Sequence, residues 1–140
     1  MSTIHSTGWL LCAVLAGSAA ADMPGADAVA RGARVYERCA ACHALERDRT
    51  GPHHCGLIGR RAGSVAGFAY SPAMRRAGFV WTEKSLDRFL RSPLTAVPGT
   101  SMGYDGVKDD DERRDLILFL REAGRTARCQ NLSAGAGRLP

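Results

Sequence analysis

The chain has 140 residues, 19 of them Lys or Arg against 14 Asp or Glu, for a formal charge of +5 and a pI near 9.3. That length suits one compact domain, and the basic balance points to an acidic partner face or an anionic surface. Lys84 and Lys108 are the only lysines, and the arginines form no single run with interleaved aromatics, so nucleic-acid binding is not expected.

The first residues read as a targeting segment. Trp9 to Ala16 is apolar but too short to span a bilayer, and Ala19-Ala20-Ala21 offers an A-x-A cleavage site. Residues 1–21 are therefore expected to be a signal peptide, leaving a mature chain from Asp22 without stable membrane insertion. The n-region carries no Lys or Arg, so an uncleaved N-terminal anchor is the alternative. This segment carries no twin-arginine pair, which implies export of an unfolded chain into the periplasm.

Ala26 to Arg38 predicts a helix capped by Asp27, with Val29, Gly32, Ala33 and Tyr36 on one face. Gly32 costs such a helix about 1 kcal/mol relative to alanine, so a second helix is expected to need close approach there. Directly after it comes Cys39-Ala40-Ala41-Cys42-His43. Two thiols three positions apart, followed by an imidazole, form the attachment signature of a c-type haem, which would be added after export. A thioredoxin-like pair would want a βαβ setting, and a zinc knuckle a second ligand pair, for which His53, His54 and Cys55 are the nearby candidates.

With Cys12 lost in the leader and two thiols given to haem, Cys55 and Cys129 are left over. In an oxidising compartment such a pair is expected to form a disulfide, which the chain-entropy relation values at roughly 4 to 5 kcal/mol for so long a loop.

Residues 44 to 70 read as irregular chain, with Thr50-Gly51-Pro52 and then Gly56, Gly59, Gly63 and Gly67. Ser71-Pro72 starts a short helical turn, and Trp81-Thr82 leads into a helix from Glu83 to Arg91 that Ser92-Pro93 ends. After the Pro98-Gly99-Thr100-Ser101-Met102 loop, Asp109-Asp110-Asp111 opens the last helix. Its stripe of Leu116, Phe119, Leu120 and Ala123 is the expected partner for the Gly32 face, and Gly124 is placed to end or loosen it. From Gln130 the composition predicts a mobile tail, giving segments 1–21, 22–129 and 130–140.

No segment alternates like a strand, so the class is all-α, with three to four helices wrapped around a central cofactor. Helices this modest would bury little on their own, which makes a large flat apolar group part of the core. Haem iron bound by one histidine has a sixth position to fill. Met23, Met74, Met102, His53 and His54 are candidates, and Met102 is preferred because its Pro/Gly loop lies far from His43 in sequence.

From about Asp27 to Ala123 the chain resembles class I cytochrome c, the mitochondrial-type branch and its soluble bacterial relatives. The resemblance rests on the Cys39–His43 motif, Gly51-Pro52, Gly56-Leu-Ile-Gly-Arg60, Gly67-Phe-Ala-Tyr70-Ser71, Gly78-Phe-Val-Trp81, Pro98–Met102 and Leu116-Ile-Leu-Phe-Leu120. It implies one covalently attached haem c, with His43 and Met102 as the axial pair on iron. The Pro52 carbonyl would accept a hydrogen bond from His43; Arg60, Tyr70 and Trp81 would surround one propionate, with Thr100 near the other.

The expected function is that of a soluble, monomeric periplasmic carrier of single electrons, not an enzyme. Its partners would be respiratory or photosynthetic membrane complexes or a dehydrogenase. A peroxidase or gas sensor with a labile sixth ligand, and a dedicated subunit of one oxidoreductase, are the alternatives. Three departures stand out: Met74 where the family commonly has Asn, Leu94, Thr95 and Ser101 where it often has lysines, and the added cysteines Cys55 and Cys129. The changed rim leaves mainly Arg38 and Lys108 as charges, beside the aromatic Tyr104.

Overall fold

The computed structural model describes residues 25–136; the expected leader and Met23 lie outside them. Its helices are α1 (Ala26–Tyr36), α2 (Pro72–Arg76), α3 (Glu83–Arg91), α4 (Pro93–Ala96), α5 (Asp110–Arg125) and α6 (Ala127–Ala136). Among the described residues the β contribution is one isolated antiparallel bridge, Arg61 with Val80.

The main packing is α1 across α5, and Gly32 is what lets it happen. A Cβ at that position would run into the Asp115 carbonyl and come within 2.8 Å of the Phe119 Cβ. The helix-propensity cost of glycine is thus offset by backbone-to-backbone approach. The Arg31 Nε donates to Asp115 across the crossing at 2.6 Å. Leu116, Leu120 and Ala123 from the stripe on α5 are buried beneath it.

Helix boundaries follow local chemistry. On α5 the Asp109 carboxylate accepts from the Glu112 N–H at 2.8 Å, and Asp110, Asp111 and Glu112 put negative charge on the first turn. On α3, Thr82 and Ser85 exchange side-chain and backbone hydrogen bonds as a capping box, and on α2 the Ser71 hydroxyl accepts from the Met74 N–H.

Several boundaries differ from the sequence reading: α1 stops at Tyr36 rather than Arg38, and Pro93, expected only to end α3, opens the short α4. The residue preceding α1 is Gly25, at φ +107°, and Asp27 lies within the first turn, where its charge faces the helix dipole. Gly124 does not end α5, which runs to Arg125 and stops where Thr126 turns to extended geometry. The chain is then helical to Ala136 as α6, in the region from Gln130 where the composition predicts a mobile tail. This helix carries Cys129, buried against Cys55 with the two sulfurs at bonding distance and the Cα atoms 5.0 Å apart.

The loop bearing Met102 is anchored by Arg113 of α5, whose side chain is 1 % exposed. Its Nε donates to Asp87 of α3 at 2.6 Å, one terminal nitrogen to Asp110 at 2.5 Å, and the other to the Val107 carbonyl at 2.8 Å. Gly106 at φ +104° lets this loop press against the Leu90 and Arg91 carbonyls, where a side chain has no room.

Replacing Arg113 by Leu is expected to cost about 2–3 kcal/mol in denaturant unfolding, since the Val107 carbonyl is buried and loses its donor. The carboxylates of Asp87 and Asp110 are partly or well exposed and find water, which keeps the loss below that of a fully buried pair. Arg113→Lys should recover part of it, because one ammonium cannot reproduce the fork. A change below about 0.5 kcal/mol in Arg113→Leu would refute the anchor.

Candidate haem site

Helix α1 hands over directly to the Cys-x-x-Cys-His turn. Cys39 N–H donates to the Tyr36 carbonyl at 2.8 Å, and the N–H groups of Cys42 and His43 both return to the Cys39 carbonyl, at 3.1 and 2.9 Å. Cys39 is part-buried and Cys42 exposed, and neither is paired in a disulfide. Burial pushes the Cys39 thiol pKa up.

His43 is 8 % exposed. Its Nδ1–H donates to the Pro52 carbonyl at 2.7 Å, as the resemblance implies. A carbonyl can only accept, so the proton sits on Nδ1 and the lone pair of Nε2 is free for a metal. Burial lowers the His43 pKa and outweighs the opposing Pro52 hydrogen bond, which keeps the ring neutral. Gly51 makes room for this ring, because a Cβ there would stand 2.6 Å from Nδ1 and closer to other ring atoms.

A cavity of about 320 Å³ brings the sequence-derived residues together. Cys39, Cys42, His43, Pro52, Arg60, Tyr70, Trp81, Thr100 and Met102 all line it. Its walls are apolar, built from Leu57, Leu86, Phe89, Leu90, Leu116 and Leu120. Met102 comes in on the 98–109 loop, with its N–H donating to the Thr100 hydroxyl at 3.3 Å. Met74, 7 % exposed, lines the same cavity and adds a second thioether rather than an amide. Trp81 is braced edge-on by Phe79 and Phe89, with ring centroids 4.8 and 5.0 Å away.

Arg60 is a charged group of the cavity wall. Its two terminal nitrogens donate to the Cys55 and His53 carbonyls at 3.0 and 2.8 Å, while Nε is buried without a partner. Burial lowers its pKa, with Tyr70 and Asp48 acting in the opposite sense. A buried guanidinium with a donor to spare calls for an anion. Apolar walls, two thiols, a free imidazole nitrogen, a thioether and an underused cation fit a flat, apolar, iron-bearing macrocycle with carboxylate arms.

The two neighbouring histidines go elsewhere. His53 pairs with Asp48, Nδ1 to Oδ1 at 2.7 Å, and does not line the cavity. His54 does line it, but its ring stacks on that of His43, with centroids 4.3 Å apart and planes at 22°. Neither assembles with Cys55 as a zinc site, and no group of three His, Cys, Asp or Glu among the described residues could hold a metal ion. The contributions of Gly51 and His54 were not visible in sequence, where one read as a loop glycine and the other as a spare ligand.

At the rim, the cations expected to remain available are engaged. Arg38 donates to Glu112 at 2.5 Å, and Lys108 Nζ donates to the Arg91 carbonyl at 3.0 Å and to the Asp105 carbonyl.

Residues 29–124 match the family model described as Cytochrome c. The chain belongs to the cytochrome c family. It is 44 % identical to "Cytochrome c 2.1" of Caenorhabditis briggsae over 103 residues, 71 % of this chain and 91 % of that protein. It is 36 % identical to "Cytochrome c2" of Blastochloris viridis over 117 residues, covering 81 % and 87 %. Among solved structures it is similar to cytochrome cH from Methylobacterium extorquens, with a TM-score of 0.66 and 34 % identity over 67 % of this chain and 97 % of that one. The all-α cytochrome c fold, a covalently attached haem c with iron, and electron transfer rather than enzymatic turnover follow from membership. Such a cytochrome acts with redox partner proteins, and no described helix is long and apolar enough to cross a membrane.

Proposed function

We propose that this cytochrome is a soluble periplasmic carrier of single electrons with His43 and Met102 as axial ligands, exported by residues 1–21 and stapled there by a Cys55–Cys129 disulfide. The observation that carries the reading is the convergence of the Nε2-free imidazole of His43 and the thioether of Met102 on one apolar cavity. When bound, the haem supplies a one-electron iron couple. The protein's part is to hold the ligands and keep water out. Cys39 and Cys42 would form the two thioethers. Pro52 fixes the ring of His43 through Nδ1, much as a carboxylate or carbonyl orients a metal-bound histidine elsewhere. Arg60, Tyr70 and Trp81 would receive one propionate and Thr100 the other, with the buried Nε of Arg60 supplying a charge-assisted donor.

The partner is proposed to be a membrane respiratory or photosynthetic complex or a dehydrogenase, met by a monomer. Because Arg38 and Lys108 are internally bonded, docking should depend on ionic strength less than for a rim of free cations.

Optical and magnetic spectra of the ferric holoprotein test the ligand pair. A low-spin spectrum with the weak near-infrared band of methionine bound to iron is expected. Its absence, together with rapid carbon monoxide binding to the ferrous protein at neutral pH, would instead favour an open-site sensor or peroxidase.

A further inference from the structure

Among the described residues, His54 is the ring stacked on the proposed iron ligand, and it carries a buried polar atom without a partner. It lies face to face with His43 at 4.3 Å. On another side Tyr36 meets it edge-on at 5.7 Å and 65°, and Tyr36 is backed in turn by Phe119 at 5.2 Å. The backbone is held too, since the His54 N–H donates to the Ala44 and Leu45 carbonyls, each at 3.1 Å, and the Cys55 N–H donates to Leu45 at 2.7 Å. With Pro52 on Nδ1 and Gly51 against the ring, His43 is confined by a clamp in which His54 is the movable-free wall.

The Nδ1 of His54 is buried and has no hydrogen-bond partner. The residue also lines the cavity. A buried polar atom without a partner destabilises the fold, and an aliphatic side chain of similar volume would fill the same space without that penalty. Such a group in a native structure asks for another role. The ring turns its π face toward His43, with the two planes at 22°.

Resting on His43 as the iron ligand, we propose that His54 is a positioning residue that sets the plane of the His43 ring and, through its π face, favours the oxidised site. The stacked geometry constrains rotation of the ligand about the bond it makes through Nε2. Positive charge on the ligand ring rises when the site is oxidised, and an aromatic face attracts positive charge where an aliphatic side chain does not.

The test compares the holoprotein with His54→Leu, which keeps volume without a ring, and His54→Phe, which keeps the stack without the polar atom. Readouts are the pattern of hyperfine-shifted haem methyl resonances in the ferric proton NMR spectrum, which follows the ligand plane, and the reduction potential. His54→Leu should rearrange the methyl pattern and lower the ferric-to-ferrous ratio at a fixed applied potential about threefold, an upward shift of about 30 mV at 59 mV per tenfold. His54→Phe should keep both near wild type. Equal values in all three proteins, or a Phe variant that moves as far as Leu, would overturn the proposal. If His54→Leu yields no holoprotein, a Phe variant with an altered methyl pattern overturns it and one with the wild-type pattern and potential supports it. A wild-type spectrum without low-spin signals would reject the ligand assignment itself, before any variant is compared.

Discussion

Met102→Ala is expected to lower the reduction potential by a few tenths of a volt, within the range of about 0.8 V that axial ligands command, and to open the ferrous protein to carbon monoxide. A neutral thioether is a poor donor to ferric iron, so it favours the reduced state, and the surrounding apolar wall disfavours the extra positive charge of the oxidised one. Alanine leaves both the coordination position and a methionine-sized space, which water can enter. Met102→His separates the two effects, since an imidazole should lower the potential while still excluding carbon monoxide. Met74→Leu is the matched control, because Met74 is the other described thioether lining the cavity. A redox titration with optical spectra decides. An unaltered potential and near-infrared band in Met102→Ala, with their loss in Met74→Leu, would transfer the sixth position to Met74.

The loop carrying Met102 should survive this change. Its far end is held by Arg113 through the Val107 carbonyl and by the Val107 N–H on the Leu90 carbonyl at 2.8 Å, neither of which involves the sulfur. A large shift in potential with little change in unfolding free energy is therefore the signature of lost ligation rather than of a collapsed loop.

How far the sequence could be read depended on whether each feature is local. The Cys39–His43 turn, the Ser71 cap, the helix starts after Thr82 and at the Asp109–Asp111 run, and the apolar stripe of α5 are decided within one or two helical turns, and all appear where expected. The close approach at Gly32 was also legible, because a glycine in an otherwise good helix asks for a neighbour. Two local signals were misplaced by a residue or two, since Gly25 rather than Asp27 precedes α1 and Thr126 rather than Gly124 stops α5; the other failures depended on distant chain. Helix α6 has the small polar composition of a tail and little apolar periodicity; among its residues of described burial, Cys129 is the one strongly buried, against Cys55. Nor can a sequence say that Arg38 meets Glu112, or that the chain folds back after His43 so that His54 covers the ring eleven positions earlier. The cavity residues were reached through their chemistry and motif spacing, whereas Gly51 and His54 act through position alone.

The second large effect concerns the staple. The double variant Cys55→Ala, Cys129→Ala is expected to lower unfolding free energy by about 4.5 kcal/mol, the chain-entropy value for a sequence separation of 74 residues. Most of that comes from the unfolded ensemble, which gains freedom when its longest tether is cut. The native state should change little near the iron. The 42–55 segment retains its own backbone bonds, from His54 and Cys55 to Ala44 and Leu45 and from Gly51 to Cys42, and the His43 bond to Pro52 closes within that segment. The potential of the double variant should accordingly stay near wild type while its denaturation midpoint falls steeply. Thiol reductant supplies the internal check, with every protein compared in the ferrous state so that haem reduction cancels. It should bring the wild type down to the stability of the double variant and leave that variant unmoved. Equal stability of the two proteins before reductant would remove the disulfide from the account. A potential that moved with the bond would instead make Cys55 a lever on the adjacent His54, coupling thiol chemistry to the redox site.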